Sequence, residues 1–534
     1  MKLRVENPVL LREMRQAARL TRTPVTLSIV TIISGLLVCA IGGAASTEAP
    51  PAEVGTILYQ AFFSLAFAVV AWIGPGVAAL TIVGERAGRT WEPLVLTGLS
   101  PRAVARGKFL ASMSYVGLYL ATLAPVGALP FLFGGVTATE VLLGYALLAV
   151  FAVIAVGFGL AVSSGAATPA MALLVTLPLS VAGSLVTYFG LGVGGSVLAH
   201  EVWSSVPGGT PVWLPTAYAR ADWGATYVMY LVALPLGVAT VLAGFFREVT
   251  IANLSDPSDD RSTGLKRWFV SACLVSTALG ALPPWLSRGK TWPAAMLAQG
   301  GIALLATFAL FVLSSDPPGP SRRVLASWQK DGAGALGRFL GPGIARTAVL
   351  LAAATVSSEL ALMLVGWATT HTMPSGHHAE SAVAFGAYAS CFFIFLGGFA
   401  IFARSLPESR LPPRGLLALV LFAAVAGPLF VLAIAGLTTS WIDRSFWIAA
   451  PSPLYVFAMI ESFETLTPKP NVVFAGTAAM IGWAALGAVL GAIGNRRLER
   501  HQTTVREAWQ RLEARLRAED EAAGAMPDAR TLPP

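Results

Sequence analysis

The chain has 534 residues, of which 55% are hydrophobic and only 12% are charged, and its formal net charge is +8. Soluble domains typically carry about 25% charged residues, so this composition excludes a soluble globular protein. The basic surplus is expected at a membrane surface, where anionic lipid and not nucleic acid is the partner. The three cysteines, Cys39, Cys273 and Cys391, fall in apolar runs and indicate neither a disulfide framework nor a thiolate metal site.

Residues 1–24 are predicted to form an amphipathic helix in the inner membrane interface. An asparagine can cap this helix, and the proline after it suits a first turn. A plain basic anchor for the first span is the alternative, and the sequence leaves both open. The residues assigned to the helix are Asn7, Pro8, Arg12, Glu13 and Arg15, with Arg19 and Arg22 continuing the basic face and Leu10, Met14, Ala17 and Ala18 forming the apolar face.

Twelve apolar runs follow, each close to the roughly 20 residues that a helix needs to cross about 30 Å of hydrocarbon. The sequence therefore predicts an all-α polytopic membrane protein with about twelve transmembrane helices. Residues 141–199 contain no Lys, Arg, Asp or Glu, and a turn at 163–169 is predicted to divide them into two spans. The runs lie near residues 25–45, 57–83, 109–132, 141–162, 169–191, 225–246, 268–286, 293–313, 347–369, 381–403, 415–437 and 472–494.

The orientation of the spans follows from the basic residues in the segments between them. With both termini inside, the inner segments hold 31 of the 36 Lys and Arg residues and the outer segments hold five. Cytoplasmic loops collect Lys and Arg, so both termini are predicted to be cytoplasmic, in a plasma (inner) membrane.

Five regions are predicted along the chain. The interfacial helix at 1–24 precedes a six-span core at 25–246, and residues 247–343 supply cytoplasmic linkers and two extra spans. A four-span second bundle occupies 344–494, and a charged helical tail with an apolar stripe occupies 495–534.

No nucleotide-binding or catalytic motif accompanies the spans. The nearest match to a P-loop is the tripeptide at 289–291, but Pro284 stands where the first glycine is required, and the tripeptide falls in an outer loop. An intramembrane enzyme would need paired catalytic side chains within the spans, and the sequence has none. The chain is therefore not expected to be an enzyme or to bind a cofactor itself.

Two further groups of residues are weighed as sites. His371, His377 and His378 lie in one outer loop and are weak candidates for a zinc or copper contact, because solvated loop histidines are common. Glu359 is the one ionisable side chain that we count in the spans. Such a carboxylate is either a substrate or proton contact on a pathway or a neutral group hydrogen-bonded to Ser357, Ser358 or a neighbouring helix.

The segment at 84–109 is the most informative loop. Trp91, Leu94, Val95 and Leu99 fall at helical spacing, and Ser100 followed by a proline is a helix-start signal. The segment therefore predicts a short helix along the membrane face, then a corner, then a transmembrane helix.

Two passages resemble a known family. ENPVLLREMRQAAR from Glu6 and GERAGRTWEPLVLTGLSPRAVARGKF from Gly84, followed by a span ending in LPFLFGGVTATEVLLGY, resemble the permease subunits of ABC-2 type transporters over about residues 6–250. The resemblance implies an ABC-2 exporter-like bundle in the first half, with the first passage as the family's interfacial connecting helix and the second as its coupling helix. The positions that match in the second passage are Glu85, Gly88, Thr90, Glu92, Leu94, Leu96, Ser100, Pro101, Gly107 and Lys108, and Trp91 is assigned to the coupling surface with them.

The resemblance also implies how the chain is driven. ATP and magnesium would bind a separate P-loop ATPase subunit docked on the coupling helix, and the chain would be the permease of an ATP-driven exporter, paired with a second permease chain, identical or different. Six spans are usual for the family, so six of the twelve here are extra. The alternative is a secondary transporter or channel that uses Glu359 as its ion or proton site.

Overall fold

The computed structural model describes residues 7–19, 22–287, 293–330, 332, 334–370, 378–406, 412–438, 445–465 and 469–524. The regular structure in these ranges is helical, without a strand. Twelve of the described helices are long and apolar enough to cross a membrane, which confirms the predicted number and places of the spans. The chain is therefore an all-helical, multi-pass membrane protein.

Two compact units make up the chain, Met1–Val275 and Ser276–Pro534, and the division falls within one helix, α12 (Thr263–Leu286). The helices before it are α1 (Pro8–Arg19), α2 (Arg22–Ala45), α3 (Pro51–Ala87), α4 (Trp91–Leu96), α5 (Pro101–Phe133), α6 (Ala138–Gly165), α7 (Pro169–Val186), α8 (Gly195–Val202), α9 (Trp213–Arg220), α10 (Ala225–Tyr227) and α11 (Leu234–Leu254), with π-helical turns at Thr187–Gly194 and Val228–Ala233. The helices after it are α13 (Pro293–Leu313), α14 (Arg322–Lys330), α15 (Ala335–Leu340), α16 (Ile344–Thr370), α17 (His378–Arg404), α18 (Pro413–Thr438), α19 (Ser445–Ala449), α20 (Val456–Glu464), which follows a 3-10 turn at Pro453–Tyr455, and α21 (Pro470–Gly524).

The central helix of the first unit is α3, which packs against α2, α5, α6 and α7. Phe62 and Phe63 of α3, whose ring centroids lie 5.2 Å apart, belong to one buried apolar cluster with Leu123 of α5. With 37 residues, α3 is about 55 Å long at 1.5 Å per residue, which exceeds the hydrocarbon thickness. The polar last turn of α3, with Glu85 and Arg86, can therefore lie outside the hydrocarbon.

The central helix of the second unit is α17, which packs against α13, α16, α18, α20 and α21. It meets α21 where Gly398 faces the backbone of Gly487, so close that a Cβ on either glycine would collide with the other helix. Glycine is needed at this crossing because only a residue without a side chain lets the two backbones approach.

The linker before α16 and the tail after the last span both contain helices. The linker before α16 forms α14 and α15, and α14 packs through the buried Val324. Arg322 of α14 lies 4.2 Å from the ring centroid of Trp509 and 3.0 Å from Glu513 Oε1. The last span and the predicted tail helix form one continuous helix, α21, to Gly524.

Candidate functional site

The capping residue of α1 also anchors it to the first unit. Asn7 Oδ1 accepts a hydrogen bond from the Val9 amide at 3.1 Å, which supports a helix start at Pro8. Asn7 Nδ2 donates to the Ala103 carbonyl at 2.8 Å, in the first turn of α5. The start of α1 is thus fixed to the start of a transmembrane helix.

The faces of α1 differ from the predicted ones in two respects. Among the side chains of α1 that the structure describes, which exclude those of residues 17–19, Val9 is the buried apolar one, whereas Met14 of the predicted apolar face is 42% exposed. Arg22 belongs to α2 and not to α1. The apolar pattern alone did not identify the contact face, because α1 packs through Val9 and the carboxylate of Glu13.

The loop at 84–109 folds as the sequence predicts, into a short helix, a corner and a transmembrane helix. After α3, Gly88 donates its amide to the Gly84 carbonyl at 2.8 Å, and Arg89 adopts a left-handed φ of 56°. The helix α4 then runs over Trp91–Leu96. Ser100 Oγ accepts from the Ala103 amide at 3.3 Å and caps α5, which starts at Pro101.

A four-residue ion network joins α1, α3 and α5. Lys108 Nζ lies 2.7 Å from Glu13 Oε1 and 2.8 Å from Glu85 Oε1. Arg12 Nη2 lies 2.9 Å from the same Glu85 oxygen. The network brings together residues from both of the passages that resemble the transporter family.

Burial makes this network structurally important. Lys108 is 1% exposed, and an ammonium group taken out of water needs compensating carboxylates to remain charged. Two carboxylates lie within 3 Å of Lys108 Nζ, which also has the Thr81 carbonyl at 3.4 Å. Among the described residues, the buried Glu85 Oε2 has no hydrogen-bond partner.

Gly107 allows α1 to approach α5. A Cβ at this position would lie 2.7 Å from Val9 Cβ and 2.9 Å from Asn7 Oδ1, both closer than van der Waals contact allows. A side chain here would push the first turn of α1 away from α5 and strain the bonds of Asn7.

The apolar residues of α4 divide between its two faces. Leu94 is 6% exposed and packs against Val9 and Val104, so it holds α4 on the first unit. Val95 and Leu96 are 54% and 86% exposed. With the exposed Glu92 they form the α4 outer face, an apolar pair flanked by a carboxylate.

Trp91 belongs to the inner side of α4. The Arg86 guanidinium lies 5.2 Å from the centroid of its ring and donates from Nη1 to the Ser164 carbonyl at 2.8 Å. Ser164 Oγ accepts from Asn253 Nδ2 at 3.0 Å. The first residue of α4, Trp91, is therefore connected through Arg86 and Ser164 to the ends of α3, α6 and α11.

Glu359 lies in α16 and is fully buried, and neither of its carboxylate oxygens has a hydrogen-bond partner among the described residues. A hydrogen bond to Ser357 or Ser358, one of the two alternatives that the sequence left open, is therefore not formed, and Ser357 Oγ donates to the Ala353 carbonyl at 2.6 Å. Gln299, on the adjacent α13, is also fully buried, and its Oε1 has no partner within the described residues. Unpaired oxygens are costly in an apolar core, so Glu359 needs a proton or a cation.

Of the three candidate metal-binding histidines, His371 and His377 lie outside the described residues. His378 Nδ1 lies 2.8 Å from Glu464 Oε1. No group of three His, Cys, Asp or Glu side chains suited to a metal ion occurs in the part of the chain that the structure describes.

One buried cluster was not anticipated from the sequence. Glu140 is 1% exposed, and its Oε1 lies 3.0 Å from Arg220 Nε. Its Oε2 accepts from the Thr137 amide at 2.6 Å, and the Thr137 hydroxyl accepts from the Glu140 amide at 3.2 Å. This reciprocal capping box has a sequence signature, Thr followed three residues later by Glu, which could have identified it.

Comparison with known proteins finds no matching family model, no matching curated protein and no matching solved structure.

Proposed function

We propose that this chain is the membrane-spanning permease subunit of an ATP-driven exporter in a plasma (inner) membrane, and that a separate P-loop ATPase subunit docks on the α4 outer face. The observation that carries the proposal is the ion network of Glu13, Glu85 and Arg12 around the buried Lys108, together with the exposed apolar pair of α4. Leu94 packs α4 against Val9 of α1 and Val104 of α5, two helices that the network joins, and this connection supports the sequence resemblance.

The mechanical argument concerns the connections of α4. A partner that pushes on Leu96 moves α4, whose inner residue Leu94 is packed on α1 and α5. Since α1 and α5 are also fixed to the end of α3 by Lys108 and Glu85, the displacement reaches the central helix of the first unit. ATP-driven closure of the partner subunits would thereby reorient the spans, and cargo would pass between them.

Leu96→Asp tests the proposed docking, because it places a charge on the α4 outer face without entering the core. The tagged chain is purified from its own cells in mild detergent, and co-purifying proteins are identified and quantified by mass spectrometry. We expect a P-loop ATPase at about one copy per chain, with vanadate-sensitive ATP hydrolysis, and loss of both in the variant.

Leu336→Asp is the matched control, since Leu336 of α15 is 72% exposed and lies on another short helix. It should keep the ATPase. Purification without any P-loop ATPase, or equal loss in both variants, would contradict the proposed docking site.

A second candidate function rests on Glu359. Its fully buried carboxyl has no hydrogen-bond partner among the described residues and could bind a proton or a small cation, which a secondary transporter or channel requires. The two candidate functions differ in the energy source that drives transport, which is ATP hydrolysis for the first and an ion gradient for the second. Transport that continues without the ATPase but stops when the proton or cation gradient is dissipated would favour the second.

A further inference from the structure

A cleft of about 430 Å³ lies in the second unit, between α15, α16, α17 and α21. Its walls are apolar and include Ala348, Ala352, Ile394 and Ile401. Its volume is in the range of small-molecule sites, about 300–1,000 Å³. The cleft is distinct from the α4 outer face, which belongs to the first unit.

The floor of the cleft is formed by glycines, which have no side chains to fill it. Gly398 and Gly487 hold the backbones of α17 and α21 together, and Gly397 and Gly491 flank this crossing. Val349 also lines the cleft and is 53% exposed. An apolar chain can therefore enter the cleft laterally from the surface that faces lipid.

The polar residues of the cleft lie where the spans leave the hydrocarbon. Arg346 is in the first turn of α16, and Asn495 follows the last apolar residues of α21. Arg346 Nη1 donates to the Arg338 carbonyl at 2.9 Å, which positions a guanidinium that has five N–H donors in all.

The surroundings of Arg346 are strongly basic. Two acidic side chains of this region accept hydrogen bonds from neighbouring residues. Glu499 accepts from Asn495 Nδ2 at 2.8 Å, and Asp316 Oδ2 accepts from Thr347 Oγ1 at 2.6 Å. The basic residues on the described elements that form the cleft, and on the turn of α21 beyond it, are Arg338, Arg346, Arg404, Arg496, Arg497 and Arg500.

We propose that this cleft binds an anionic phospholipid, with one acyl chain along α16 and the phosphate at Arg346. The apolar walls match the acyl chain, and the basic rim matches the phosphate, since arginine binds phosphate through charge-assisted hydrogen bonds. A basic pocket between transmembrane helices at the membrane face is suited to lipid head groups. A free phosphate ion would leave the apolar walls uncovered.

Ala352→Phe tests the acyl-chain part of the site by filling the cleft. The full chain is purified in mild detergent, incubated with phosphatidylglycerol or phosphatidylcholine, and examined by native mass spectrometry for bound lipid. We expect the unaltered chain to retain one phosphatidylglycerol and this variant to lose it. Ala353→Phe is the matched control, because the neighbouring Ala353 is exposed and does not line the cleft, and it should retain the lipid.

Arg346→Gln tests the head-group part. It should lower the preference for phosphatidylglycerol over phosphatidylcholine about five-fold, the effect of one basic residue near a membrane surface. Arg511→Gln removes a charge from an exposed position of α21 and should leave the preference unchanged. Thermal unfolding midpoints of all four variants show whether each one is folded.

Three results would overturn the proposal. One is equal lipid retention by the folded Ala352→Phe and Ala353→Phe variants. Another is an unchanged lipid preference in Arg346→Gln. The third is a shift of Ala352→Phe from dimer to monomer with lipid retained, which would identify the cleft as an interface between copies. The lipid measurement needs no ATPase, so its failure leaves the proposed docking untouched.

Discussion

Lys108 of α5 and Glu13 of α1 form an ion pair of 2.7 Å between residues 95 positions apart in the sequence. The pair joins α1 to the transmembrane helix α5. Its lysine is almost completely buried, so the pair fixes the position of α1 far more firmly than a surface ion pair would.

The first prediction concerns the stability of this network. Lys108→Met leaves Glu13 and Glu85 without their shared cation, and we expect it to lower the free energy of unfolding by about 3–5 kcal/mol, as for other broken buried ion pairs. Denaturant titration in mixed micelles measures this change. Adding Glu13→Gln to Lys108→Met should recover part of the loss, because Lys108 is the cation paired with Glu13, whereas Glu85 keeps its ion pair with Arg12. A single variant as stable as the unaltered chain would contradict the role assigned to Lys108.

The second prediction concerns the approach of α1 to α5. Gly107→Ala places a methyl group against Val9 and Asn7, so α1 should detach and its arginines should become more sensitive to trypsin. Gly117→Ala is the matched control in the same helix, since a Cβ at Gly117 would meet nothing within 4 Å. Equal cleavage rates in the two variants would show that α1 does not depend on this contact.

The third prediction concerns orientation. In a chain whose native cysteines are replaced, Thr97→Cys and Ser327→Cys should resist an impermeant thiol reagent in intact cells, whereas Ser46→Cys should react. All three positions are exposed, so lack of labelling reports the side of the membrane and not burial. Labelling of Thr97→Cys from outside would reverse the predicted orientation.

The fourth prediction concerns Glu359. Glu359→Gln removes the ionisable group without changing its size, and because Glu359 has no hydrogen bond among the described residues, the variant should fold at the normal level. If the carboxyl binds a proton or a cation, the variant should lose cation-coupled flux in proteoliposomes. Dicyclohexylcarbodiimide should label the unaltered chain at Glu359 and not the variant. Unchanged flux would leave Glu359 without a role in transport.

The fifth prediction concerns stoichiometry. The short inner loop of the second half, residues 403–415, contains three prolines and no apolar stripe, so it is a poor second docking surface. Each chain should therefore offer one principal surface, and two permease chains should assemble with two ATPases. Native mass spectrometry measures the ratio of permease chains to ATPases.

Charge changes at Glu408 and Arg410 in this inner loop should leave ATPase association intact. Residues 407–411 lie outside the described residues. One permease with two ATPases would contradict this assembly.

Apolar length and local capping signals were sufficient to predict the membrane-spanning helices from the sequence. The twelve spans followed because each needs a run of apolar residues, which is a local property. Ser100 and Pro101 located the start of α5 for the same reason, since a cap depends on residues within one turn.

Only the tertiary structure decided which of these residues contact each other. Helical spacing placed Leu94 and Val95 on one stripe, but packing against Val9 buries Leu94, whereas Val95 stays exposed. The partners of Lys108 come from two helices distant in sequence, and the sequence has no local signal for such a contact. The sequence by itself therefore determined the number and approximate places of the twelve spans. The positions of buried charges and exposed apolar residues depend on how the helices pack.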